Sequence, residues 1–295
     1  MDLVTLLENF DTQEKCINHL EKIRWNSKPL CPYCNCTKVS SVAIERRHKC
    51  LNCNRSFSVL VGTVFESTKL PLKKWFTAIF IIVGAKKGIS SLELSRHLDV
   101  NKDTAWFLQR RIRTAMEETN LLKGIVEIDE TYVGGSMTKM HKSYKKKKNY
   151  FPAGMQHKTP VLGMQQREGK IILRVLKKAW GEEIKPILCQ SIAKESTVVT
   201  DGFGGYFGIG NVYKDHIILN HDKKIFTKGR FHTNTIEGFW GILKRAIIGS
   251  YHKISIKYFQ EYLNEIAFKF NYKKNEERFN TLVNNMISRA FPFSG

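Results

Sequence analysis

The spacing of apolar side chains along the chain changes twice. From Leu70 to Gly88, "LPLKKWFTAIFIIVGAKKG" holds a nearly continuous apolar run closed by a glycine, which predicts a core helix. "ISSLELSRHLDVNKDTAWFLQRRIRTAM" then predicts a helix from Ser91 to Leu98, a turn at "DVNKD" and a second helix from Thr104 onward. Leu92, Leu94, Leu98 and Val100 are expected to pack the pair, with Ser90 or Ser91 and Asp103 as caps. Beyond Lys123 the period becomes two. In "GIVEIDETYVGG" (124–135) Val126 and Ile128 face one way and Glu127 and Asp129 the other, as a strand requires. "TPVLGMQQREGKIILRVLKKA" reads as two strands around a turn at Arg167–Lys170, and "GEEIKPILCQSIAKEST" as a helix. "VVTDGFGGY" is a short strand ending on Asp201 and a glycine-rich turn, and "VYKDHIILNH" is a further strand. "HTNTIEGFWGILKR" (His232–Arg245) is helical again, because Phe239, Leu243 and Ile247 sit at i, i+4 and i+8 with Trp240 beside them. A final helical stretch runs from Ile256 to about Asn285.

Charge narrows the class. The 295 residues carry a net charge of +21, too large an excess for a neutral enzyme surface. It points to a polyanion, most often nucleic acid, although an anionic membrane would also fit. No apolar run reaches the roughly 18–20 residues of a spanning helix. The opening "MDLVTLLENFDTQEKC" is acidic and amphipathic, unlike a secretory signal, so an intracellular, reducing compartment is expected. There, cysteines favour metal over disulfide. "CPYC" and "CLNC" place Cys31, Cys34, Cys50 and Cys53 in a C-x2-C-x15-C-x2-C pattern, which suits a tetrahedral thiolate site for structural zinc. Cys36 lies close but off the knuckle spacing, and Cys16 and Cys189 read as small core residues. The division is then a helical segment over 1–27, a zinc ribbon over 28–60, a helix-turn-helix region over 70–120 and a catalytic domain over 124–285.

The second helix of the pair carries Gln109, Arg110, Arg111 and Arg113, with Trp106 and Phe107 for packing. As a helix-turn-helix it would set Arg110, Arg111 and Arg113 against DNA; the plainer alternative is a hairpin with a solvated arginine face. The run Lys145–Lys148 is a basic loop open to the same two readings.

Three carboxylates stand where chemistry could use them. Asp129 and Asp201 sit at strand ends and Glu237 on a helix, with 71 residues between the first two and 35 between the last two. Converging at one sheet edge, they could hold two divalent ions by oxygen ligands, as magnesium prefers. Two such ions, about 4 Å apart, serve phosphodiester chemistry. Lys244 follows Glu237 by seven residues, about two helical turns, so the acid and the base share one stripe with Gly241 between them. Glu127 shares a strand face with Asp129, whereas Glu130 points to the other face. His232 suits a structural place at the helix start, and Tyr251 and His252 lie in a basic turn that could meet DNA.

These blocks together resemble the DDE-type transposases of bacterial insertion sequences, in the ISXO-like branch related to Merlin elements. The resemblance runs over nearly the whole chain: "CPYC…CLNC", "KDTAWFLQRRIR", "VEIDETYVGG", "VVTDGFGGY" and "HTNTIEGFWGILKRAIIGSYHKIS". It implies an α/β RNase H-like, integrase-type catalytic domain. Asp129, Asp201 and Glu237 would be its metal-binding triad for two Mg2+ or Mn2+ ions, and Lys244 a basic position of the same pattern. It further implies binding to terminal inverted repeats and target DNA, DNA cleavage and 3′-hydroxyl strand transfer. A homo-oligomer assembled on DNA in a bacterial cytoplasm, associated with the nucleoid, is expected, with no membrane partner. A DNA-binding regulator with an inert nuclease-like domain and a structure-specific nuclease on the same fold are the competing readings.

Overall fold

The computed structural model describes residues 2–26, 28–42, 46–134, 158–220, 227–252, 254–273 and 278–291. The chain divides into two compact units, Met1–Glu117 with Tyr272–Gly295, and Glu118–Asn271. The lysine run at 145–148 lies outside the described residues. Among the described residues, no helix is long and apolar enough to cross a membrane.

In the first unit, helices α1 (Leu3–Asn9) and α2 (Gln13–Trp25) precede a three-stranded antiparallel sheet of β1 (Val39–Val42), β2 (Arg47–Cys50) and β3 (Ser56–Phe57). Helices α3 (Leu72–Gly84), α4 (Ser91–Leu98) and α5 (Lys102–Thr114) follow. The Ser90 hydroxyl caps α4 by accepting from Glu93 N. At α5 the cap is Asn101, whose Oδ1 accepts from Thr104 N at 2.7 Å, in place of the expected Asp103. Asp103 falls inside the first turn, where its negative charge still favours the helix dipole. Leu94 and Leu98 pack the pair, but Leu92 points to solvent.

The expected segments over 1–27, 28–60 and 70–120 all fall in the first unit as far as Glu117. Helices α2 and α3 pack against a helix at Arg278–Ser288, whose Phe279, Leu282, Val283, Met286 and Ile287 are buried. Val64 N donates to Met286 O, and the Asn285 and Arg289 side chains both donate to Ala115 O. The stretch expected to close the catalytic domain at 285 therefore leaves it after Asn271 and completes the first unit.

The second unit holds a five-stranded mixed sheet in the order β6-β5-β4-β7-β8. Its strands are β4 (Ile125–Val133), β5 (Thr159–Gln166), β6 (Ile171–Val175), β7 (Thr197–Asp201) and β8 (Asp215–Leu219). β4, β5 and β6 run antiparallel; β7 joins β4 and β8 joins β7 in parallel. Helix α6 (Gly181–Ser191) covers one face, where Ile184 and Leu188 meet Val126, Ile128, Leu162 and Met164. On the other face lie α7 (Asn234–Ala246) and α8 (Phe259–Asn271), packed through Ile236, Phe239, Leu243 and Leu263 on Val161, Ile171 and Leu173. A short β9–β10 ribbon (Thr227–Lys228, Phe231–His232) leads into α7. Cys16 is buried as expected, but Cys189 on α6 is exposed, because the helix turns that side away from the sheet.

Candidate active site

The alternation of β4 sends Glu127 and Asp129 to the α7 face. The parallel register pairs Ile125 with Thr197 and Glu127 with Val199. Two residues further on, at the end of β7, Asp129 comes level with Asp201 on the same face of the sheet. The N-terminal turns of α7 lie over this face, because Ile236, Phe239, Trp240 and Leu243 bury the helix on it. Glu237 and Lys244 are left on an exposed stripe, as their seven-residue spacing implies. Gly241 is less open than expected, since a Cβ there would stand 3.2 Å from Arg245 Nη1; it is Gly238 that faces open space.

Each acid accepts at least one hydrogen bond. Asp129 Oδ1 accepts from Glu130 N at 2.8 Å and its Oδ2 from Trp240 Nε1 at 2.7 Å. Asp201 Oδ1 accepts from Phe203 N at 3.0 Å, at the start of the glycine-rich turn. Thr233 Oγ1 donates to Glu237 Oε1 at 2.8 Å. Burial pushes the Asp129 carboxyl above the usual carboxylate range; its Trp240 and Glu130 donors oppose this, and the charges of Asp201 and Glu237 add to it. Glu130 points the other way, as expected, and accepts from the Tyr206 hydroxyl. Burial raises it to about 7, with Asp201 and Asp129 adding to the rise against that hydrogen bond. Among the described residues no lysine, arginine or histidine pairs with Asp129, Glu130, Asp201 or Glu237. Carboxylates without a countercharge are the hard oxygen donors that a divalent cation takes. Among the described residues, the only group of three or more metal-binding side chains with donor atoms all within 4.8 Å is the cysteine set.

Sequence reasoning placed Glu127 near the site but missed its task. It is fully buried. Its Oε1 accepts from Arg167 Nη2 at 2.7 Å and from Thr235 Oγ1, and its Oε2 from Thr235 N and Ile236 N. One carboxylate thus takes the free N–H groups at the start of α7 and fastens the helix that carries Glu237 to the strand that carries Asp129. His232 stands beside it, 3.5 Å from Glu127 Oε1, with its carbonyl accepting from Arg167.

In the ribbon, Cys31 and Cys53 Sγ are 3.7 Å apart and Cys34 and Cys50 Sγ 3.5 Å apart, and all four fall within 4.8 Å of one another. Backbone N–H groups of Cys53 and Asn52 point at Cys50 Sγ and hold its thiol down to about 6. Four thiols so arranged fit one tetrahedral zinc. Cys36 is outside the set.

The arginine helix departs from expectation. Arg111 and Arg113 are buried. Arg111 Nη2 donates to the carbonyls of Val64 and Glu66, and its guanidinium lies over the Trp75 ring at 5.2 Å. Lying about 200° apart on the helix, Arg111 and Arg113 are drawn into the packing of the first unit on different sides of α5, and not onto one solvent-facing stripe. Arg110 is half-buried, with its guanidinium 5.1 Å over the Trp106 ring.

The sequence model of the ISXO2-like transposase domain matches residues 121–271, the sheet unit that holds Asp129, Asp201 and Glu237. The chain belongs to this transposase family. A transposase zinc-ribbon domain matches residues 11–56, which include all four cysteines of the thiol cluster. A relative described as an uncharacterized protein in transposable element ISH50 of Halobacterium salinarum is 26% identical over 251 residues, covering 81% of this transposase and 84% of the relative.

Proposed function

We propose that this transposase binds the terminal inverted repeats of its element and carries out metal-dependent DNA cleavage and 3′-hydroxyl strand transfer. The observation that carries the reading is the placement of Asp129 level with Asp201, under the helix that carries Glu237. Three antiparallel strands followed by two parallel ones support an RNase H-like domain. Asp129, Asp201 and Glu237, as hard oxygen donors, would hold two Mg2+ or Mn2+ ions. Bound there, the ions supply Lewis-acid activation of the attacking oxygen and stabilisation of the leaving one. Water would attack a backbone phosphorus at the element end and free a 3′-hydroxyl, which would then displace an oxygen from a target phosphodiester. Lys244, an ammonium with donors only, would meet a phosphate near the scissile bond. The zinc ribbon and the α4–α5 pair would hold double-stranded DNA, with the half-buried Arg110 as the candidate contact on α5. Joining two ends to one target calls for more than one copy, so a homo-oligomer on DNA is part of the reading.

The test is purified protein with a DNA end taken from the element's flanks, in Mg2+ or Mn2+. Cleavage and joining are expected, and Asp129→Asn, Asp201→Asn and Glu237→Gln should each abolish both while DNA binding survives. Ordinary cleavage by the Asp201 variant would overturn the site assignment. Cleavage without joining would make the protein a nuclease.

A further inference from the structure

Trp240 sits in a stripe of apolar residues, and its ring is buried with them. An indole nevertheless carries one donor that needs a partner when buried. Here the N–H is given to Asp129 Oδ2 at 2.7 Å. The ring reaches that oxygen because of Gly163. In the β4–β5 register Gly163 stands directly opposite Asp129. A Cβ on Gly163 would overlap the Trp240 ring at Cη2 and come within 2.9 Å of Ile236 Cδ1. Glycine inside a strand is ordinarily unfavourable and marks a close approach. At this position the approaching group is the indole.

We infer that Trp240 is a positioning residue for Asp129, and that Gly163 is the notch that lets it act. The Asp129 carboxylate is held from two sides, by Glu130 N on Oδ1 and the indole on Oδ2, so its plane is fixed before any cation arrives. Each oxygen keeps a lone pair for a ligand bond. The indole is itself held in register, because the backbone N–H of Ile236, one turn earlier on α7, is fastened to Glu127. This rests on Asp129 being a metal ligand, as proposed above. Partners of this kind typically change metal affinity or activity by about 10–100-fold when lost.

Two measurements on the full-length protein test it. The first is Mn2+ affinity by calorimetry, without DNA. Trp240→Phe keeps most of the ring and removes the N–H; Gly163→Ala keeps the N–H and displaces the ring. Both are expected to weaken Mn2+ binding at the acidic site by about tenfold or more, with Asp129→Asn as the reference for loss. The second needs no change at Trp240. The indole N–H resonance of Trp240, one of the 5 tryptophans, should move in Asp129→Asn and should move in the wild-type protein when Mg2+ is added. If Trp240→Phe folds and binds Mn2+ as the wild type does while Asp129→Asn does not, the positioning role is wrong and the site stands. If Asp129→Asn binds and cleaves normally, the site itself is wrong. If Trp240→Phe fails to fold, an indole resonance unmoved by both Mg2+ and Asp129→Asn still overturns the proposal.

Discussion

Glu127 and Lys244 show how differently two charges near one site can be spent. Glu127 has no contact with solvent and accepts five hydrogen bonds from α7 and Arg167. Glu127→Gln turns one acceptor into a donor that faces other donors and leaves Arg167 without its charge partner. Removing one side of such a buried pair costs about 3–5 kcal/mol. Urea unfolding of the variant should show a loss of that size, and a loss under about 1 kcal/mol would mean that the clamp is not what fastens α7. Lys244 is exposed, and its side chain makes no hydrogen bond or ion pair among the described residues. Lys244→Ala should leave the melting temperature nearly unchanged, within the roughly 0.5 kcal/mol typical of surface changes. Cleavage or joining should fall by much more than DNA binding, and Lys244→Arg should restore part of it. A melting transition that collapses while the folded fraction keeps its specific activity would make Lys244 structural.

At the level of elements, the ribbon is expected to depend on a bound zinc. Its sheet has ten strand residues in all and a small apolar cluster of Cys31, Cys50 and Phe57 backed by Trp25 and Val39. So little buried surface does not usually hold a fold without a staple. Cys50→Ser should therefore loosen residues 28–60, read as faster amide exchange there and unchanged exchange over the sheet unit. Most elements were legible in the sequence because their periods are regular. Val126 and Ile128 against Glu127 and Asp129 give β4 its two faces, and the knuckle spacing gives the cysteine set. What the sequence hides is the use of a residue against its type. Arginines on a helix read as set against DNA or solvated, yet Arg111 is buried, where it serves backbone carbonyls at Val64 and Glu66, and Arg113 is buried as well. Trp240 reads as core, and only the opposing glycine on β5 reveals its polar task.

For the whole molecule, the informative feature is that the first unit is assembled from two distant stretches of chain. Nothing local in residues 1–117 announces that their core is finished by Phe279, Leu282, Val283, Met286 and Ile287. Each such side chain contributes about 1.5–3 kcal/mol on burial, and together they rival the 5–15 kcal/mol that a domain has in all. A protein stopped after residue 271 should keep a protease-resistant sheet unit and lose protection over residues 1–117; a peptide of residues 272–291 added in trans should restore some of it. If residues 1–117 stay protected in the shortened protein, the helix at 278–288 is dispensable. The same feature sets an order in time. A ribosome adds about 5–20 residues each second. Residues 1–117 therefore wait roughly 10–30 s between their own synthesis and the arrival of residue 288, while the sheet unit, contiguous in sequence, can fold in the interval. The part made first is the part finished last, and during that delay its unfilled apolar core is open to whatever meets the nascent chain.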